Sequence, residues 1–200
     1  IFVPVVGIAV YFAFGINHRK KKLYRKKIVR DKTALADLRE RITLETEKAW
    51  DTKEPAIQKH KKLARYLLND GMSPLSGGNE VKLLINGENK FPEVLEALKN
   101  AKHHIHIEYY IFEDGEIADQ IKDVLIQKAR EGVAVRFIYD DFGSRSIRKE
   151  FVKELKDAGI QAFPFYKIIF ILFANRVNYR NHRKIIIVDG CIGFTGGINV

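Results

Sequence analysis

From residue 79 to residue 200 two periodicities alternate along the chain, and this alternation constrains the fold more than any other feature. Short apolar runs rich in β-branched and aromatic residues occur at Val81–Ile85, His104–Phe112, Val133–Tyr139, Ile160–Phe163 and Lys184–Val188. Between them, Phe91–Lys102, Glu116–Arg130 and Ser146–Ala158 carry apolar residues at helical spacing. Gly132 reads as a helix stop and Gly159 as a C-cap, since glycine accepts the left-handed backbone that ends a helix. Strands alternating with helices over short connections predict an α/β domain whose sheet is mainly parallel and covered by helices. Lys184–Val188 (KIIIV) is apolar on both faces, which predicts a central strand of that sheet.

The first 80 residues read differently. Residues 1–16 carry no charge, and residues 17–32 hold nine Lys/Arg against one Asp. A bilayer span needs about 20 apolar residues. The run is short of that, but the chain opens on Ile1 rather than Met, so its beginning is read as cut. A basic cluster after an apolar run marks the cytoplasmic side, whereas a signal peptide carries its charge before the run. The expectation is a truncated transmembrane helix over 1–16 and a basic cytoplasmic collar over 17–32. The collar is also suited to anionic lipid headgroups. Residues 33–78 are charge-rich with scattered Leu and Ala and read as a helical connector, divided by Pro55 and closed by the turn cluster Gly71–Asn79. Residues 79–200 form the last region, whose end at Val200 also reads as cut.

Charge and cysteine content remove several classes. The net charge is +10, but the collar carries +8 of it. A remainder of +2 is no electrostatic footprint for nucleic acid. The single cysteine, Cys191, excludes an internal disulfide framework and a Cys-rich zinc site.

Candidate chemistry concentrates near the end. His182, Lys184 and Asp189 stand in the spacing H-x-K-x4-D, and after six more residues come Gly196, Gly197 and Asn199. Residues two apart on a strand share a face, so His182 and Lys184 point the same way. A neutral imidazole beside a fixed cation suits attack on a phosphodiester: the ring bonds to phosphorus and the ammonium neutralises the non-bridging oxygens. By parity Asp189 leaves that face and reads as a structural partner. Gly197 lets backbone approach a phosphate, and Asn199 offers a hydrogen-bond donor.

This set of residues resembles the signature of the phospholipase D superfamily, with Gly197 standing where that pattern usually has Ser. The segments His104–Phe112, Arg136–Ser144 and Asn178–Lys184, with the N-terminal Pro4, Gly7, Tyr11 and Gly15 and the basic collar, are similar to bacterial cardiolipin synthases. The resemblance implies a membrane-anchored phosphatidyltransferase with two such motifs, of which this chain carries the first. It implies catalytic roles for His182, Lys184 and Asp189, and substrate contacts from Gly197 and Asn199. One motif's histidine would attack phosphatidylglycerol and release glycerol, and the other's would protonate the departing alcohol. A second phosphatidylglycerol would then take the phosphatidyl group and give cardiolipin. The resemblance further implies no metal and no other cofactor, phosphatidylglycerol and membrane phospholipid as partners, no nucleic acid, and a bacterial cell membrane location with the catalytic region in the cytoplasm. A missing C-terminal half would carry the second motif, so this chain alone is expected to be inactive. The alternative within the superfamily is a phosphodiesterase, either a hydrolytic lipase or a membrane-tethered nuclease that dimerises.

Three further features stay open. His104, His106 and Glu108 share one strand face and admit a metal-ligand reading, although residues two apart on a strand lie about 7 Å apart and fit one ion poorly. Asp140 and Asp141 close a strand before Gly143 and suit either a carboxylate pair or a turn. Phe163–Ala174 has ten apolar residues of twelve and suits either a buried core segment or a lipid-facing element.

Overall fold

The structure is a computed structural model. It describes residues 7, 40, 42–44, 46–48, 50, 55–71, 73, 75–147, 149–165 and 180–200. The expected transmembrane helix (apart from Gly7), the collar and most of Phe163–Ala174 lie outside the described residues. Among the described residues no helix is long and apolar enough to cross a membrane.

The chain divides into two compact units, one of Ile16–Lys82 and one that groups Leu83–Val200 with Ile1–Gly15. In the first, the described elements are helices α1 (Pro55–Lys59) and α2 (Lys61–Gly71). Thr46 is fully buried; its hydroxyl donates to the Ile42 carbonyl at 2.7 Å and accepts from the Leu75 amide at 3.2 Å. The Lys61 and Arg65 cations lie 6.0 and 5.6 Å from the Trp50 ring centroid.

The second unit runs, in order, α3 (Asn86–Lys99), β1 (His104–Tyr109), α4 (Glu116–Arg130), β2 (Ala134–Asp140), α5 (Lys149–Asp157), β3 (Gln161–Phe165), β4 (Lys184–Val188) and β5 (Ile192–Thr195). The five strands form one sheet in the order β3-β2-β1-β4-β5. β1 pairs parallel with β2, and β2 with β3; β1 pairs antiparallel with β4, and β4 with β5. The sheet is therefore mixed rather than mainly parallel. The cause is local. Asp189 and Gly190 adopt φ of 51° and 71°, and the Cys191 amide returns to the Val188 carbonyl at 3.1 Å. Two consecutive positive φ values make the hairpin turn that Asp-Gly favours, and this turn folds β5 back on β4.

One face of the sheet meets the helices. Ile105, Ile107 and Tyr109 of β1 are at most 2% exposed, while the intervening His104, His106 and Glu108 are half-buried. The core joins them to Val94 and Leu98 of α3, Ile121 and Leu125 of α4, Leu155 of α5, and Phe112, Phe137 and Ile186. Each such side chain contributes about 1.5–3 kcal/mol through burial. Ile187 faces the other way and is 37% exposed, so β4 is not buried on both faces.

Two elements depart from expectation. Val81–Ile85 forms no strand, and Val81, Leu83 and Ile85 are 90%, 84% and 62% exposed. Their alternation has no neighbouring strand to pair with, and a strand without a ladder has no stability in water. The next helix begins at Asn86, before Phe91, and runs through Pro92. Losing one backbone hydrogen bond at Pro92 is offset by the burial of Phe91, Val94, Ala97 and Leu98 on one stripe.

Candidate active site at the end of strands β1 and β4

Register builds the site. β1 ends at Tyr109 and β4 begins at Lys184, and these two residues are directly paired. Antiparallel pairing thus sets the His182–Lys184 segment beside Tyr109 and Tyr110. The place lies outside the carboxyl ends of β1 and β2, where β1 has a parallel neighbour on one side and an antiparallel one on the other. Open α/β sheets bind ligands at such edges.

Tyr110 is the platform. Its ring stacks on the His182 imidazole with centroids 3.8 Å apart and planes 18° from parallel. The Lys184 Nζ is 5.5 Å from the same ring centroid and donates to the His182 carbonyl at 3.2 Å. His182 precedes the strand and is exposed, so one face of the ring is supported and its edge is open. Tyr110 is itself clamped. Ser144 Oγ donates to the Tyr110 carbonyl at 3.1 Å and accepts from the Phe112 amide at 3.0 Å. A Cβ at Gly143 would stand 2.3 Å from that carbonyl, so the close approach requires glycine there.

Asp140 ties this loop to the segment carrying His182. It is completely buried. Its Oδ1 accepts from the Phe142 and Gly143 amides at 3.0 and 2.9 Å, and its Oδ2 accepts from the Asn181 amide at 3.2 Å. Arg180 Nη1 stands 3.7 Å from Oδ1, and the Arg180 guanidinium covers Phe142 at 4.1 Å. This is turn geometry rather than a paired-carboxylate acid and base. Asn181 Nδ2 donates to Glu108 Oε1, and Asn181 Oδ1 accepts from the Arg183 amide at 3.3 Å. Arg183 reaches the same Glu108 oxygen at 3.7 Å. Both neighbours of His182 are therefore fixed, and Glu108 is held by Asn181 and Arg183. Among the described residues no group of three or more His, Cys, Asp or Glu is placed to hold a metal ion.

The 196–200 segment closes the remaining side. Val200 accepts from the Glu113 amide at 2.8 Å and donates to the Ile111 carbonyl at 3.4 Å. The Ile198 carbonyl accepts from Lys90 Nζ at 3.0 Å. Gly197 is exposed, and the Asn199 Oδ1 is buried with no hydrogen-bond partner among the described residues. Arg180 Nη2 is orphaned in the same way. A buried polar atom without a partner costs about 1–3 kcal/mol, which a ligand can restore.

Asp189 is not gathered here. It lies past the other end of β4, where its carboxylate accepts from the His103 and His104 amides on Oδ1 and the Lys102 amide on Oδ2, each at 2.8 Å. Those bonds, the His104 amide's foremost, hold its carboxyl down at about 2. Of the five residues chosen from sequence, His182, Lys184, Gly197 and Asn199 lie at or next to one end of the sheet and Asp189 at the opposite end. Sequence reasoning missed Tyr110, Ser144 and Lys90. The tight Asp140–Gly143 turn was a usable signal for the clamp. Nothing local marked Tyr110 or Lys90, because their partners are distant in sequence.

Residues 94–200, more than half of the chain, match the family described as "Cardiolipin synthase, PLD-like domain". The chain belongs to that family. It is 42% identical over 198 residues to the cardiolipin synthase of Alkalihalophilus pseudofirmus, covering 98% of this chain and 38% of that protein. It is likewise 42% identical over 200 residues to cardiolipin synthase 2 of Bacillus anthracis, covering 98% and 37%. The chain thus spans less than two fifths of the length of these curated relatives. Among solved structures, Nuc from Salmonella typhimurium, a phospholipase D family member, aligns at a TM-score of 0.40 and 23% identity, covering 53% of this chain and 61% of that one.

Proposed function

We propose that the protein carrying this chain is a phosphatidyltransferase that makes cardiolipin and glycerol from two phosphatidylglycerol molecules. The observation that carries this reading is the His182 imidazole stacked on Tyr110 with Lys184 against the same ring, in a chain of the cardiolipin synthase family. A ring nitrogen of His182 attacks the phosphorus of the first lipid, and the bond from phosphorus to the glycerol oxygen breaks. The histidine of a second motif, carried outside this chain, gives that oxygen its proton. A hydroxyl of the second phosphatidylglycerol returns a proton to that histidine and attacks the phosphorus. The phosphorus–nitrogen bond breaks, and His182 is free again. Phosphodiesters are consumed and formed in equal number, so no nucleotide is required. Lys184, with Gly197 and Asn199, meets the phosphate oxygens as phosphorus becomes five-coordinate. Asp189 contributes by holding β1 to the β4–β5 turn.

In the same reading residues 1–16 anchor the protein in a bacterial cell membrane, 17–32 face the cytoplasm, 33–78 connect, and 79–200 are the first catalytic half. This chain alone is inactive, for it lacks the leaving-group acid, worth about 10²–10⁴-fold. The test feeds labelled phosphatidylglycerol to the full-length protein and to its His182→Ala variant, quenches in base and looks for acid-labile phosphorus on protein. Wild type forms the adduct and cardiolipin; the variant forms neither. A variant that still forms the adduct moves the nucleophile to the second motif. Phosphatidic acid as the main product of the wild type makes the protein a hydrolase instead.

A further inference from the structure

Lys90 is a lysine only 6% exposed, within α3. Its Nζ donates to the Tyr109 hydroxyl at 2.9 Å and to the Ile198 carbonyl at 3.0 Å. It also stands 5.3 Å from the Tyr109 ring centroid and 5.2 Å from that of Phe91. Among the described residues it forms no ion pair with a carboxylate. A buried cation without a counter-charge is costly. The neighbours deepen the cost. Burial, and beyond it the charge of Lys184, hold the Lys90 ammonium below the ordinary lysine value. Tyr109 gives no relief as a phenolate, since burial pushes its hydroxyl up to about 12.

We propose that Lys90 is a positioning residue of the phosphate site, holding the Gly197–Asn199 segment through the Ile198 carbonyl and adding its unneutralised charge to that of Lys184, so that the substrate's phosphate is the counter-ion both cations lack. The inference rests on the phosphodiester reading of the site, not on which lipid is used. Lys90 does not touch substrate, because Tyr109 and Ile198 lie against its ammonium. Its effect is carried in two ways. Its hydrogen bond fixes the Ile198 carbonyl, between Gly197 and Asn199. Its charge acts through a low-dielectric wall, where a fixed cation is worth more than in water. Partners one layer behind metal ligands typically change affinity or activity 10–100-fold, and the same scale is expected here.

The probe is inorganic phosphate, which carries the anionic chemistry and no lipid. Its affinity for the full-length protein is measured by equilibrium dialysis, with transfer kinetics on the same samples. Lys90→Gln keeps hydrogen-bond donors and loses the charge; Lys90→Met loses both; Lys90→Arg keeps the charge. The expected result is phosphate binding weakened about tenfold or more in Lys90→Gln and Lys90→Met, but within about threefold of wild type in Lys90→Arg. The same two neutral variants are expected to lose about 10–100-fold in kcat. A purely structural lysine would lower the unfolding temperature and leave phosphate affinity unchanged in whichever neutral variant folds, and that result overturns the proposal. A wild type that binds no phosphate overturns it also, together with the phosphate site. If wild type makes no cardiolipin yet phosphate still separates Lys90→Gln from Lys90→Arg, the lipid assignment fails and the role of Lys90 stands.

Discussion

Lys184 and Asp189, at the two ends of β4, are five residues apart and chemically opposite. At the Asp189 end every demand is met: one carboxylate accepts three backbone amides, and an Asp-Gly turn supplies the reversal. At the Lys184 end demands are left open. The His182 ring is exposed; among the described residues Asn199 Oδ1 and Arg180 Nη2 are buried without partners, and Lys90 is buried without a counter-charge. Folding optimises the first end. The second holds unmet demands of the kind that functional sites show when they break local rules. In the function proposed above, one motif, H-x-K-x4-D, has a reactive end and a bracing end, joined by a strand that keeps them apart.

The largest effect that could break this contrast is at His182. In the full-length protein, His182→Ala is expected to reduce cardiolipin formation to background with an unchanged unfolding temperature. Asp189→Asn should show the reverse pattern. If a folded Asp189→Asn protein loses as much transfer as His182→Ala, the bracing end is reactive too and the contrast fails.

Next in size is Lys184→Arg. Guanidinium is planar and bulkier than ammonium, and removing one donor to a developing oxyanion costs about 10²–10³-fold. A loss of that order in kcat is expected although the charge is kept; near-normal turnover would mean that only net charge matters.

Tyr110 sharpens the contrast from the side of orientation. A stacked aromatic pair is worth about 0.5–1.5 kcal/mol, so Tyr110→Leu should slow transfer up to about tenfold. Tyr110→Phe, which keeps the ring, should stay near wild type. Equal losses in the two would shift the role from ring to hydroxyl.

Asp189 should give the smallest effect on transfer and a clear one on acid stability. Its carboxyl is held near 2 in the folded protein against 3.8 when free of partners. A depressed folded value means that the contribution is complete above about pH 4 and is lost as pH falls towards 2. Acid titration followed by circular dichroism should show wild type more stable than Asp189→Asn at neutral pH, with the gap narrowing between pH 4 and 2. A gap that is constant across that window would mean that the carboxylate's charge is not what holds the three amides.

Local pattern carried the elements whose partners matter little. Helix α4 runs Glu116–Arg130, the bounds its apolar spacing gives, because Ala118, Ile121, Val124 and Leu125 recur at the helical period whatever they pack against. β4 runs Lys184–Val188, where the run of β-branched residues placed a strand, although only one of its faces is buried. Val81–Ile85 shows the limit: its alternation is as regular, yet a strand exists only with a neighbour to bond, and the sheet provides none. The antiparallel turn of the sheet was legible in Asp189-Gly190, read only as a motif position and the residue after it.

For the candidate site, sequence alone determined the spacing of His182 and Lys184 and their offset to Gly197 and Asn199, since spacing along one chain is a covalent fact. It could not determine what the pair rests on. Tyr110 meets His182 across 72 positions, Lys90 meets Ile198 across 108, and Asn181 meets Glu108 across 73. Such contacts exist only after β1 and β4 take their register and α3 packs against the sheet. Tertiary structure alone decided that one end of β4 is satisfied by backbone amides and the other is left with unspent charge.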